Sequence, residues 1–314
     1  MNIHYIILAH KNPRQLLRLV SKLQEPWTKF YIHIDKHCEI EEFKQFFNLN
    51  DSVIFIEEKE REYGTWGDIG IVRATLNAIN KVIEKDQPGI CYLLSGQDYP
   101  ISSNMKILNF FQNNPNTNFI SSFSLPYEGW NETGLNRIEK YKFNKSLARG
   151  KFFVSPSIYE KGFFNSKNLR NVAYLWKNKR YKDFTKLLQY RKFPKYIRPY
   201  GGSVYWTLTT ETLVAISNFL KHHPDYVKYH ENTLCADEIF FHSIIKNLEK
   251  KSNFRIAQSL TYVNWNRKSG PLPVTFGKTD FQELSKAAKS YLFARKFDEK
   301  VDYHILDKID SLYD

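Results

Sequence analysis

Three polar clusters each follow a short apolar run: Ala9-His10-Lys11, His33-Ile34-Asp35 and Ser95-Gly96-Gln97-Asp98. In an open α/β sheet, ligands bind outside the carboxyl ends of the strands, so these exits are where binding chemistry belongs. Asp and Gly also end strands merely because they turn the chain, which makes any single exit weak. Three together point to a crevice. His33, Asp35 and His37 alternate, and in an extended strand they would share a face and imitate a two-histidine, one-carboxylate metal site. That is the lesser reading, because a parallel strand buries both faces and Lys36 and Cys38 break the pattern. Asp35 alone is expected to serve at the exit.

No Asp-x-Asp occurs, the carboxylate arrangement through which many sugar-nucleotide enzymes hold a divalent cation on a diphosphate. Without it, an anionic leaving group needs cations from the protein. The run Leu292-Phe293-Ala294-Arg295-Lys296-Phe297-Asp298 offers two inside an apolar frame, and Arg267 and Lys268 add two more. One of Arg295 and Lys296 can equally snorkel from an edge strand, since neighbours in a strand point oppositely. Asp237 and Glu238 precede Ile239, Phe240, Ile244 and Ile245, which predicts both carboxylates in the first turn of an amphipathic helix. There the helix dipole favours their ionised forms, as a cap or as a general base.

The elements that would carry these residues alternate two periodicities. Ile3 to Leu8 reads as a strand, and Leu16, Leu17, Val20 and Leu23 share one helical face. Strand-like runs follow at Phe30 to Ile34, Val53 to Ile56, Cys91 to Leu94 and Asn118 to Ser122. Helical spacing follows at Ile69, Val72, Leu76, Ile79 and Ile83, and Ser103 is placed to cap a helix through Phe111. The expected fold is α/β, with a doubly wound, mostly parallel sheet in 1–122. Residues 123 to about 200 lose the regularity and read as an aromatic and basic insertion on the acceptor side. Residues 201–314 resume order: Gly201-Gly202-Ser203 leads into a strand at Val204 to Leu208, then come helices from about Glu211 and from Asp237 to Leu248, and a C-terminal strand and helix. With no repeat or linker, one continuous catalytic domain over 1–314 is expected.

Among 314 residues, 42 % are hydrophobic and 25 % charged, and no apolar stretch approaches the roughly 20 residues of a membrane span. Disordered, collagenous and transmembrane classes are thereby excluded. Met1 to Ala9 lacks a basic n-region and a cleavage site, and Cys38, Cys91 and Cys235 form no CxxC pair. Together these point to a cytoplasmic protein. The net charge of +13 and 16 % aromatics imply an anionic partner: a phosphorylated substrate, a nucleic acid or an anionic membrane. No RRM, KH, helix-turn-helix or zinc-finger spacing supports nucleic acid. Nothing in 123–200 forms a clear amphipathic membrane helix, so contact with the inner membrane face would be peripheral and electrostatic.

Read together, Ile7 to Lys11, Phe30 to Asp35, Leu94-Ser95-Gly96-Gln97-Asp98-Tyr99-Pro100-Ile101, Gly201-Gly202-Ser203-Val204-Tyr205-Trp206, Asp237-Glu238-Ile239-Phe240-Phe241-His242 and Leu292 to Asp298 resemble one family in order. It is the core-2/I-branching β-1,6-N-acetylglucosaminyltransferase family, which includes the peptide O-xylosyltransferases. The resemblance implies a GT-A-like fold, inversion at the anomeric carbon, a UDP-sugar donor and no obligatory metal, and with it a glycan acceptor and no cofactor are expected. The basic surplus suggests that the glycan is lipid-linked, and surface polysaccharide synthesis is the expected setting. It puts Glu238 in the role of catalytic base and Lys296 on the diphosphate, with Arg295 beside it and Arg267 as an approximate second cation. Ala9, His10, Asp35 and Asp98 fall at the donor's strand exits, and Trp66 matches an aromatic in Tyr63-Gly64-Thr65-Trp66. Gly202, Ser203, Tyr205, Trp206 and Asp237 fall on the acceptor side. N-acetylglucosamine is the expected donor sugar. Val204 stands where xylosyltransferase-like enzymes carry an acid, whereas Leu-Phe-Ala-Arg-Lys-Phe is closer to the xylose branch, which keeps UDP-xylose as the alternative. The rivals outside this family are a basic nucleic-acid-binding protein, stacking bases on the aromatic insertion, and a lectin-like remnant.

Overall fold

A computed structural model describes residues 1–47, 50–85, 87–249, 253–268 and 270–312. Four parallel strands, β1 (Asn2–Ala9), β2 (Thr28–Ile34), β3 (Val53–Phe55) and β4 (Gly89–Ser95), make half of a seven-stranded sheet. Its order is Arg255–Ala257, Thr117–Phe119, Thr207–Thr209, β4, β1, β2, β3. Only Thr207–Thr209 runs antiparallel to its neighbours.

Alternation along β1 explains the double winding, because successive side chains of a strand point to opposite faces. Ile3, Tyr5 and Ile7 join a core with Leu16, Leu19, Val20 and Leu23 of the helix Pro13–Leu23. Ile6 joins the opposite core with Val72, Ala78, Ile79 and Val82 of the helix Gly70–Glu84. Ser103 caps the helix Asn104–Gln112 by accepting from the Lys106 N–H, as its sequence predicts. Ala9 pairs with Ile34 and Leu8 with Ser95, so β1, β2 and β4 end level. Their three polar exits are thereby side by side.

Several elements differ from the sequence expectation. The strand expected over Asn118 to Ser122 divides, because Thr117–Phe119 pairs in the main sheet while Ser122–Ser124 leaves to pair with Tyr200–Gly202. The strand expected at Val204 begins at Thr207. Phe293–Arg295 is no edge strand. It lies between Thr261–Val263 and Asp98–Pro100 in a three-stranded sheet, with Arg295 directly opposite Asp98. The insertion folds as a hairpin, Tyr141–Asn144 with Phe152–Ser155, covered by helices Ser166–Lys177 and Tyr181–Leu187. Phe143, Phe153, Phe163, Leu175 and Leu187 give it a small core of its own.

Candidate active site

The segment after Phe293–Arg295 is fastened to the strand exits. Gln15 donates to the carbonyls of Gly96 (2.9 Å) and Phe297 (3.2 Å), and the Phe297 N–H donates to the Gln97 carbonyl at 2.8 Å. Lys11 and Asn12 hold Asp298 at 2.6 and 2.8 Å. Lys296 therefore stands at the exits of β1 and β4. Its ammonium has no carboxylate within ion-pairing distance among the described residues. Burial and then the neighbouring cations Arg295, Lys11 and Arg149 hold its pKa below the usual lysine value. Of these four cations Lys11 is paired with Asp298 and Arg295 with Asp98, while Lys296 and Arg149 have no carboxylate partner among the described residues, which leaves an excess of positive charge that a bound anion would neutralise.

His10 lies at the rim in the same field. Its imidazole is lowered by desolvation and Lys11, against opposing pulls from Asp35 and Asp298. Ala9 is buried, and its carbonyl accepts from the Asp35 N–H at 2.8 Å. Asp35 accepts from the Gly64 N–H at 2.9 Å through Oδ2, and from the His37 N–H (2.9 Å) and ring Nδ1 (2.8 Å) through Oδ1. His33 is buried and accepts from the Glu62 N–H at 2.8 Å, with its pKa lowered to about 4 by burial. The His33, Asp35 and His37 metal face is therefore not formed, because each member already serves the backbone or its neighbour. Among the described residues no cluster of three or more His, Cys, Asp or Glu is placed to hold a metal.

Two expected donor contacts sit differently. Asp98 is fully buried at 0 % exposure, accepting from the Ser95 N–H at 2.6 Å and from Arg295 at 3.0 Å. Burial raises its pKa and Arg295 opposes the rise. Asp98 thus positions Arg295 and cannot itself touch a ligand. Arg295 also donates to the Ser95 hydroxyl and lies 4.9 Å over the Tyr205 ring. Arg267 is engaged by Asp280 at 2.6 Å and Glu283 at 3.8 Å, so its charge is already met locally.

Glu238 occupies one 3-10 turn, Ala236–Glu238, entered through Cys235 in the left-handed region (φ 52°) and left through non-helical Ile239. The α-helix starts only at Phe240. The expected dipole support for both carboxylates therefore does not hold. Desolvation and then the charge of Glu238 push Asp237 up to about 7, and its Oδ1 is buried without a partner. Glu238 is 30 % exposed. Its Oε2 accepts from Arg137, whose guanidinium stacks 3.7 Å over Trp130, while Oε1 meets no protein donor among the described residues.

The loop Tyr63 to Asp68 joins the two ends. Gly64 binds Asp35, the Gly67 carbonyl accepts from the Cys235 N–H at 3.1 Å, and Asp68 pairs with Lys142 of the insertion hairpin at 3.3 Å. Trp66, 45 % exposed, lies against Phe152 and Arg149. Tyr205 is the second link, since its buried hydroxyl, raised by desolvation, feels Arg295, Asp98 and Asp237 together. A Cβ on Gly202 would lie 2.0 Å from the Ser121 carbonyl and 2.6 Å from His242, so only glycine fits there. His242 donates to the Ser203 carbonyl at 2.9 Å, leaving Ser203 exposed at the mouth. Trp206 is 1 % exposed and packs on Phe241, so it belongs to the core and not to an acceptor surface.

Residues 3–286 match the Core-2/I-Branching enzyme family. The chain belongs to that family. Core-2/I-branching enzymes are glycosyltransferases. Xylosyltransferase 2 of Homo sapiens and of Canis lupus familiaris are each 24 % identical to this member, over 99 % of its chain and 33 % of theirs. Xylosyltransferase 1 of Canis lupus familiaris is 23 % identical over 99 % and 30 %. The chain thus spans about a third of the length of these curated relatives. Among solved structures, apo mouse xyloside xylosyltransferase 1 is similar with a TM-score of 0.38 and 11 % identity, covering 94 % of this chain and 97 % of that one. A 4-diphosphocytidyl-2C-methyl-D-erythritol synthase from Anaerococcus prevotii gives 0.38 and 10 %, covering 92 % and 95 %. Likenesses that slight carry no weight for the chemistry.

Arg137 and Arg149 went unnoticed in the sequence. Arg137 lies 101 residues from Glu238, and Arg149 sits in an irregular hairpin loop. Neither carries a local signal.

Proposed function

We propose that the chain transfers a sugar from a UDP-sugar to a hydroxyl of a glycan acceptor, in a single inverting displacement on a GT-A-like scaffold. The observation that supports this most is Lys296: an unpaired ammonium crowded by Lys11, Arg149 and Arg295 at the strand exits. In this reading the diphosphate sits on Lys296 and Arg149, with Arg295 held in place by Asp98. Asp35 and the exposed face of Trp66 border the uridine and sugar. Preorganised cations stabilise the charge that develops on the departing UDP without reorganising at the moment of reaction. The acceptor enters past Ser203 and Tyr205, and Oε1 of Glu238 takes its proton as the oxygen attacks C1. The cations stand in for a metal, so no cofactor is assigned.

The motif set favours N-acetylglucosamine as the transferred sugar. A second reading, xylose, is favoured by the names of the relatives that align over nearly all of this chain. A donor screen tests both: UDP release from UDP-N-acetylglucosamine, UDP-xylose and other UDP-sugars, without acceptor, in the absence and presence of EDTA. Slow hydrolysis of one donor, unchanged by EDTA, is the expected result. Release only after a divalent ion is restored would overturn the role given to the cations.

A further inference from the structure

Between residues 140 and 198 there are seventeen lysines and arginines and two acids, a net of +15 in a chain whose total is +13. The whole positive excess therefore sits in the insertion, and the remainder is slightly acidic. Both acids of the insertion are used internally. Glu160 accepts from the Ser157 N–H at 3.0 Å, and Asp183 pairs with Arg180 at 2.7 Å and Lys186 at 3.8 Å. Lys140 and Lys142 pair with Glu132 and Asp68 outside the insertion, and most of its other cations, Arg170 and Lys177 among them, have no acidic partner among the described residues.

The helix Ser166–Lys177 arranges part of this excess. Leu175, Asn168 and Asn171 face inward, and the ring of Tyr174 meets Phe153 of the hairpin at 6.3 Å. At 3.6 residues per turn, positions 166, 169, 170, 173, 176 and 177 form one stripe, and all six are exposed. The stripe carries Leu169 and Trp176 beside Arg170 and Lys177. Phe164, 78 % exposed, stands just before the helix, and Trp176 is 60 % exposed.

We infer that this stripe is a docking face for an anionic lipid bilayer, with Trp176, Phe164 and Leu169 entering the headgroup region while Arg170 and Lys177 meet lipid phosphates. Charge alone would suit any polyanion. Large apolar side chains on an exposed face, interleaved with cations, suit an interface that is apolar below and anionic above. No helix among the described residues is long and apolar enough to cross a membrane, so the contact is peripheral. This inference does not depend on the donor or on the catalytic assignments.

The test is co-sedimentation of the full chain with phosphatidylcholine vesicles, with and without phosphatidylglycerol, at rising salt. Binding to the anionic vesicles only, weakened as salt screens it, is expected. Each neutralisation, R170Q or K177Q, is expected to lower partitioning about fivefold. W176A and F164S are expected to weaken binding at every salt concentration while donor hydrolysis stays unchanged; Trp176 also meets the rings of Tyr181 and Phe184, so F164S, at a more exposed position, is the variant expected to keep the parent's thermal melting. The blue shift of tryptophan fluorescence on vesicle binding should shrink in W176F. Absence of sedimentation at low salt would overturn the inference. So would W176A and F164S binding vesicles as the parent does while heparin competes fully, which would mark a polyanion site.

Discussion

Asp237 and Glu238 are adjacent, yet their surroundings set them to different tasks. Glu238 keeps one oxygen on Arg137 and leaves the other without a protein donor among the described residues, whereas Asp237 is desolvated beside a like charge. Glu238→Gln is expected to leave UDP affinity nearly intact and to lower turnover at least about 10²-fold, because the amide keeps the shape and loses the basicity. Steady-state rates beside calorimetric UDP binding check this, and near-normal turnover would return Glu238 to a structural role. Asp237 makes a stability prediction of definite sign. Its folded pKa of about 7 lies above the unfolded value of 3.8, so its contribution is intact below about 4 and is lost as pH rises through about 7. Asp237→Asn should therefore raise Tm at pH 8, on the order of 2–4 °C for each kcal/mol recovered, with no gain near pH 4. A Tm difference independent of pH would contradict the assignment. Asp35 was legible because it follows an apolar run, Lys296 because it stands inside an apolar frame, and Asp237 and Glu238 because they precede an apolar helical face. What could not be read was direction: Asp98 and Trp206 stand in equally suggestive motifs and point into the core.

At the scale of elements, the loop Tyr63 to Asp68 matters more than its four residues of visible motif suggest. A Cβ on Gly64 would lie 2.5 Å from Oδ2 of Asp35, and no backbone atom is nearer than that flexible carboxylate. Gly64→Ala is expected to displace Asp35, raising KM for the donor severalfold while Tm changes by no more than a few degrees. Donor kinetics beside a melting curve check it. A large loss of Tm would place Gly64 in the fold and not the site. Strands and helices of the first half were legible because β1, β2 and β4 and their helices bury regular apolar faces. The 3-10 turn at Glu238 was not, since Cys235 adopts a left-handed conformation that its residue type does not announce. The strand at Thr117 likewise ends where its pairing partner changes, from Thr207 opposite Phe119 to Gly202 opposite Ser122, and both partners are distant in the chain.

Across the whole molecule, the net positive charge is concentrated in the insertion, while two cations at the strand exits stand out of reach of carboxylates among the described residues: Lys296 after the strand Phe293–Arg295, and Arg149 in the insertion hairpin. Composition showed the surplus and could not divide it, because Lys296 and Arg149 meet only when three separate segments close on the exits of β1 and β4. Family membership makes the chain one of a set of glycosyltransferases, and the cation-lined crevice is the feature by which this account stands or falls. Calorimetric titration of UDP into the parent protein and Lys296→Met, both in EDTA, tests it most directly. Loss of one charge-assisted contact to a phosphate, about 1.5–3 kcal/mol, predicts binding at least tenfold weaker in Lys296→Met than in the parent. Equal affinity in the two proteins, or no UDP binding by the parent until a divalent ion is added, would contradict the account.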